Sequence, residues 1–221
     1  MNIFFTILSV LMLVFVVWQG RIVVPRIISF LLPIKKNLYF EDGQRAPEKT
    51  DKTPGIAAVV SKLESAGFAP LGMMVEKFPL WAAVTREIIM VSPGSQAIAS
   101  LGFRRQRPSY FFYTPFAGGE VVITACNSFR DLKKAGFVTE VIPSGDVAEM
   151  LAAHSKRVEE FVQQGYIPFT DFSRESVIRA TDQYYNSPYL KQQLRIAGIL
   201  NLLFLVVCLF LLAILTRSAL S

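Results

Sequence analysis

Apolar residues crowd the two ends of the chain and thin out between them. The amino end reads MNIFFTILSVLMLVFVVWQG, with no charged side chain from Asn2 to Gly20. The carboxyl end holds IAGILNLLFLVVCLFLLAILT, Ile196 to Thr216, bounded by Arg195 and Arg217. At about 1.5 Å rise per residue, roughly 20 apolar helical residues span a hydrocarbon layer about 30 Å thick. Both ends therefore predict transmembrane helices, one over residues 1–20 and one within a longer helix over 188–217. A cleaved secretory signal would need a basic leading region, a shorter apolar core and small residues at a cleavage site. Here no Lys or Arg precedes the first run, and it closes on Trp18-Gln19-Gly20-Arg21, which points to an uncleaved anchor.

After the first run, residues 21–40 stay apolar but carry Arg21, Arg26, Lys35 and Lys36, with Pro25 and Pro33 between them. Proline interrupts a straight helix, so this stretch reads as a bent interfacial segment whose basic side chains reach toward headgroups. The plainer alternative is that the first helix simply runs on. Residues 41–53, EDGQRAPEKTDKT, have the charged, Gly- and Pro-broken composition of a linker.

Between the linker and residue 187 the period of the pattern changes twice. Ile56, Val59, Val60 and Leu63 recur at helical spacing, with Thr53 as N-cap, Pro54 at the first helical position and Gly67 as the stop. From Pro70 to about Pro143 the chain favours strands, separated by turn residues at Ser92-Pro93-Gly94, Arg107-Pro108 and Gly118-Gly119. An antiparallel sheet of about five strands follows. Helical spacing then returns in Val147, Met150, Leu151, His154, Val158, Phe161 and Val162, with Asp146 and Glu149 spaced as a capping box and Gly165 at the end. A shorter helix begins at Ser173, and Ser187-Pro188 opens the helix that enters the second apolar run. The expected fold class is α+β, with a domain over 54–187 flanked by two transmembrane helices.

Charge sets an expected orientation. The formal net charge is +6, and Arg21, Arg26, Lys35, Lys36, Lys191 and Arg195 lie on the inner flanks of the two runs, against Arg217 alone outside. The excess of Lys and Arg near membrane helices marks the cytoplasmic side. The middle of the chain is therefore expected in the cytoplasm at the cell membrane, with both termini opposite. With two cysteines, one of them inside an apolar run, no disulfide framework is expected.

The chemistry-bearing residues are sparse. His154 is the single histidine, so no multi-histidine metal site can form, and its place on the apolar stripe suits a hydrogen-bonded core residue. A Cys126–His154 pair is the one conventional nucleophile arrangement open to the chain, and no glycine elbow surrounds Cys126. SPGSQ and FAGGE match neither phosphate-loop pattern. Glu76, Glu87, Asp131 and Glu140 are scattered without metal-ligand spacing. No cofactor, no metal and no catalytic residue is expected.

One stretch stands apart: FRRQRPSYFFYTPFAGG, Phe103 to Gly119. On a strand, Tyr110, Phe112 and Thr114 face one way and Phe111, Tyr113 and Pro115 the other. Pro115 favours an edge or a strand end. Such a two-faced aromatic strand must be covered by helices or by a partner. The basic–aromatic mixture resembles no nucleic-acid motif, so nucleic acid is not an expected partner. Arg104, Arg105 and Arg107 suit anionic lipid headgroups, each contributing on the order of 1 kcal/mol near a charged leaflet. Asn201, with Ala197 and Gly198, suits packing between membrane helices.

The sequence thus implies a non-catalytic, membrane-anchored accessory, assembly or scaffold subunit that contacts other integral-membrane subunits. The interaction candidates are Arg104, Arg105, Arg107, Tyr110, Phe111, Phe112, Tyr113, His154 and Asn201. The alternative is a membrane-tethered cytoplasmic sensor of a small ligand, held between sheet and helix near Met150 and His154.

Overall fold

The computed structural model describes residues 3–31, 37–41, 55–77, 84–104, 107–126, 131–134 and 136–220. The chain divides into two compact units, one made by the terminal helices and one by the segment between them.

In the first unit α1 (Ile3–Leu31) packs along α5 (Pro188–Leu220). Phe15 meets Phe204 edge-on, ring centres 6.5 Å apart. Both helices are long and apolar enough to cross a membrane. Phe4, Leu11 and Val14 on α1 and Leu203, Val207 and Phe210 on α5 are exposed. α1 continues through Pro25 to Leu31, so the first helix runs on past this proline; Pro33 lies outside the described residues.

The second unit is built on a mixed sheet of eight strands: β1 (Asn37–Phe40), β2 (Ala69–Lys77), β3 (Val84–Ser92), β4 (Ala97–Arg104), β5 (Arg107–Pro115), β6 (Val121–Ala125), β7 (Leu132–Lys134) and β8 (Phe137–Val141). Their spatial order is β1-β2-β3-β4-β5-β6-β8-β7. The expected sheet of about five antiparallel strands is corrected in two ways. The strands number eight, and they include two short edge strands, β1 from residues 37–40, which belong to the stretch expected to be interfacial, and β7 with only three residues. The sheet is also not purely antiparallel, because β6 pairs with β8 in parallel, Val121 opposite Phe137 and Ala125 opposite Val141. β7 lies at the edge and pairs antiparallel with β8, so the chain steps past one strand position before returning.

β5 is fifth of eight, not an edge. Its Pro115 fits there because it is the last residue of the strand, past the first rung of the β4–β5 ladder, where Ile98 faces Tyr113. Its carbonyl accepts from the Phe169 amide at 3.0 Å. Gly118-Gly119 does make the hairpin turn: Phe116 N–H donates to Glu120 O at 2.9 Å, and Gly119 takes φ 91°, which needs no Cβ.

Helices cover both faces of the sheet. α2 (Ile56–Ser65) and α3 (Val147–Gln163) lie on one side, where Ile56, Leu63, Phe68, Met90, Phe112 and Met150 form the main core. α4 (Arg174–Asn186) lies on the other. Gly55, left-handed at φ 102°, precedes α2; Thr53 and Pro54 lie outside the described residues. Asp146 caps α3 by accepting from the amides of Ala148 at 3.0 Å and Glu149 at 3.1 Å. Glu149 does not return the bond to the Asp146 amide directly. It accepts from Ser144 Oγ at 2.6 Å, and Ser144 Oγ in turn accepts from Asp146 N–H at 3.3 Å. The α3 stripe is buried at Val147, Met150, His154, Val158 and Phe161, but Val162 is exposed. Ser173 caps α4.

Candidate functional site

The alternation along β5 sends its side chains into two different environments. On the α3 face, Phe112 is fully buried, stacked on Phe68 at 5.3 Å and set edge-on to His154 at 5.9 Å. Tyr110 meets Phe112 at 6.0 Å, and its hydroxyl donates to the Gly145 carbonyl. Burial, then the nearby Cys126 and Asp146, push the Tyr110 phenol up to about 12.

His154 is fully buried and tied to the sheet by both ring nitrogens. Nε2 lies 2.9 Å from Thr114 Oγ1 and Nδ1 lies 3.1 Å from Thr124 Oγ1. Burial lowers its pKa to about 3, so the ring is neutral at physiological pH. Cys126 Sγ donates instead to the Tyr110 carbonyl at 3.3 Å. His154 and Cys126 are therefore not a hydrogen-bonded pair, and the core around Met150 and His154 is filled by side chains.

On the α4 face the environment is different. Phe111 and Tyr113 from β5 join Met74, Glu87, Ser100, Val121 and Ile123 from neighbouring strands, and Thr181, Tyr184 and Tyr185 from α4 close a cavity of about 40 Å³. Sheet register produces this meeting: Ser100 pairs with Phe111 across β4–β5, and Ile89, two residues from Glu87, pairs with Ser100 across β3–β4. Ser100 Oγ donates to Glu87 Oε2. Tyr185 Oη donates to Glu76 Oε2 at 2.8 Å. Thr181 spends its proton on the Val177 carbonyl at 2.8 Å, so Tyr113 Oη donates to Thr181 Oγ1 at 3.3 Å. Burial raises both phenols, Tyr185 also through Glu76 and Glu87, and both stay protonated donors.

Along the sequence Glu76 and Glu87 are scattered carboxylates, and no motif singles out Tyr184 or Tyr185. The available signal was a carboxylate interrupting an apolar strand: Glu76 follows Met73-Met74-Val75, and Glu87 precedes Ile88-Ile89-Met90.

The remaining candidates lie elsewhere. Arg104 pairs with Arg107 at the end of the β4–β5 hairpin; Arg105 lies outside the described residues. Asn201 donates to its own helix at the Ala197 carbonyl, 2.8 Å. A more open groove of about 330 Å³ is bordered by Asp131, Lys133, Glu140 and Arg157. Arg157 binds Glu140 and Glu160, each at 2.8 Å, and that pairing pulls the Glu160 carboxyl below its ordinary range. Among the described residues, no group of three or more His, Cys, Asp or Glu is placed to hold a metal. Comparison of the chain with protein-family models, curated proteins and solved structures finds no match.

Proposed function

We propose that this chain is a non-catalytic, membrane-anchored accessory or assembly subunit of a larger integral-membrane complex, acting through protein–protein contacts. The observation that carries this reading is the pair α1–α5. The two helices contact each other, yet large apolar side chains such as Phe4, Leu11, Leu203 and Phe210 remain exposed. A helix apolar on all sides needs a buried or lipid setting. In this reading both helices cross the cell membrane, the basic inner flanks hold the domain in the cytoplasm, and other membrane subunits cover part of the exposed helix surface. The arginines of the β4–β5 hairpin meet anionic headgroups, and nucleic acid is not a partner. The test is extraction in mild detergent followed by native-size analysis. A larger species with copurifying membrane proteins is expected, and a lone monomer would overturn the reading.

A second reading, a membrane-tethered cytoplasmic sensor of a small ligand, draws support from the cavity beneath α4. It does not draw on Met150 and His154, which are fully buried in packed surroundings.

A further inference from the structure

The cavity under α4 combines three properties that together select one ligand chemistry. Its walls are aromatic: Phe111, Tyr113, Tyr184 and Tyr185. Aromatic faces attract cations, the more strongly as the cation is desolvated. Its polar side is acidic, with Glu87 on the lining and Glu76 held against Tyr185. Two of its rings belong to the last turn of α4, which ends at Asn186, and the carbonyl end of a helix also favours positive charge.

Size narrows the choice further. A space of about 40 Å³ admits a few water-sized groups and falls well below the roughly 300 Å³ at which drug-sized pockets begin. Gly102 lies opposite Glu87 without a side chain of its own; a Cβ there would come within 3.5 Å of Glu87 Cγ. Glu87 thus packs over Gly102, its carboxylate accepts from Ser100 Oγ, and it lines the same cavity as Phe111.

We propose that this cavity binds an alkylammonium group, the charged head of a small amine, between the rings of Phe111, Tyr113, Tyr184 and Tyr185 and the carboxylate of Glu87. The proposal rests on the second functional reading, to which it gives a ligand class. The ammonium head has two natural sources, a free amine or an amine-bearing lipid headgroup, and the same contacts serve both.

The test uses the full chain purified in detergent, with ligand-observed saturation-transfer NMR. Methylammonium and ethylammonium are titrated against equal sodium chloride, with ethanol as a neutral counterpart. Saturable binding of both amines is expected, in the millimolar range of about −4 kcal/mol. Glu87→Gln and Phe111→Leu should each weaken it about tenfold, while Phe111→Tyr and the remote Arg157→Gln should leave it unchanged. No saturable amine signal above the sodium control in the unmodified chain would overturn the proposal, as would equal binding by the Glu87→Gln and Phe111→Leu chains. Ethanol binding without amine binding would overturn the cation assignment but leave a small-ligand cavity standing. Repeating the titration in nanodiscs separates the sources. With the phosphatidylglycerol fraction held equal, weaker amine binding when the remaining lipid is phosphatidylethanolamine than when it is phosphatidylcholine points to a competing primary-ammonium headgroup, and equal binding points to a free amine; either result supports the ammonium site.

Discussion

His154 Nε2 stands 2.9 Å from Thr114 Oγ1, and the direction of that bond is fixed by a third residue. Thr114 has one hydroxyl proton, and it donates to the Gln96 carbonyl at 2.5 Å. Nε2 must then carry the ring proton and donate to Thr114, which leaves Nδ1 to accept from Thr124 Oγ1. The neutral ring set by burial has one proton, and the network uses it once. A helix, two neighbouring strands and the β3–β4 turn are thereby joined through a fully satisfied buried network, the condition under which such networks add order rather than strain.

Replacing His154 should cost the domain heavily. His154→Ala leaves Thr124 with a buried hydroxyl lacking its acceptor and opens a void beside Phe112. The sum of cavity and lost hydrogen bonds is about 3–5 kcal/mol. His154→Gln keeps a donor and an acceptor and should cost less. Urea midpoints of the full chain, followed by circular dichroism, rank the two; equal midpoints for His154→Ala and the unmodified chain would contradict the network.

The same residue predicts a pH dependence. In the folded chain the imidazole titrates at about 3, whereas in an unfolded chain it titrates near 6.5. Below about 6.5 the unfolded chain takes up a proton that the folded chain refuses, so stability is complete above that pH and falls as pH drops toward 3. The slope approaches about 1.4 kcal/mol per pH unit. Since His154 is the one histidine, the window from pH 7 to 5 isolates it from the carboxylates. The unmodified chain should lose about 2 kcal/mol more than His154→Gln over that interval, measured from urea midpoints.

What could be read from the sequence was local. The α3 cap at Asp146, the glycine turn at Gly119 and the alternation of Tyr110 to Pro115 all depend on near neighbours, and each is found in the structure. Position in the sheet is not local. Nothing in Leu132-Lys133-Lys134 distinguishes a three-residue edge strand from a loop, and without β7 the parallel step from β6 to β8 has no visible cause. Pro115 suggested an edge because its missing N–H matters only if a neighbouring strand continues past it, and β4 does not. Glu76, Glu87 and Tyr185 are brought together by register and by the seat of α4, so their meeting has no spacing signature.

Gln96 is the one non-glycine residue with positive φ among the described residues, at 50°. It closes the β3–β4 turn, where its amide donates to the Pro93 carbonyl at 3.2 Å, and its own carbonyl anchors Thr114. A left-handed L-residue costs roughly 1–2 kcal/mol that glycine avoids, partly offset by the extra freedom glycine has when unfolded. Gln96→Gly should therefore raise stability by up to about 1 kcal/mol, while Gln96→Val, branched at Cβ, should lower it. Thermal melts of the two variants check the sign, and a stable Gln96→Val chain would argue against the left-handed turn.

Orientation gives a prediction on intact membranes. Ser61 lies on the exposed side of α2, its neighbours Lys62 and Glu64 also at the surface. With the domain in the cytoplasm, a Ser61→Cys chain should react with a membrane-impermeant maleimide in inside-out vesicles and not in right-side-out ones. The native Cys126 is buried and Cys208 sits within α5, so background labelling should be low. Labelling in right-side-out vesicles would reverse the topology.

A last pair of substitutions compares two tyrosines on the α4 face. Tyr185 donates to the carboxylate of Glu76 at 2.8 Å, and Tyr113 to the neutral hydroxyl of Thr181 at 3.3 Å. Hydrogen bonds to charged acceptors contribute about 1.5–3 kcal/mol and those between neutral groups about 0.5–1.5. Tyr185→Phe should therefore destabilise the domain more than Tyr113→Phe, although Tyr113 is the more deeply buried ring. Both changes keep the ring and remove one oxygen, so packing is held nearly constant and the acceptor decides the difference. Urea midpoints at neutral pH measure it. A larger loss for Tyr113→Phe would mean that the Thr181 contact, and not the Glu76 carboxylate, fixes α4 on the sheet.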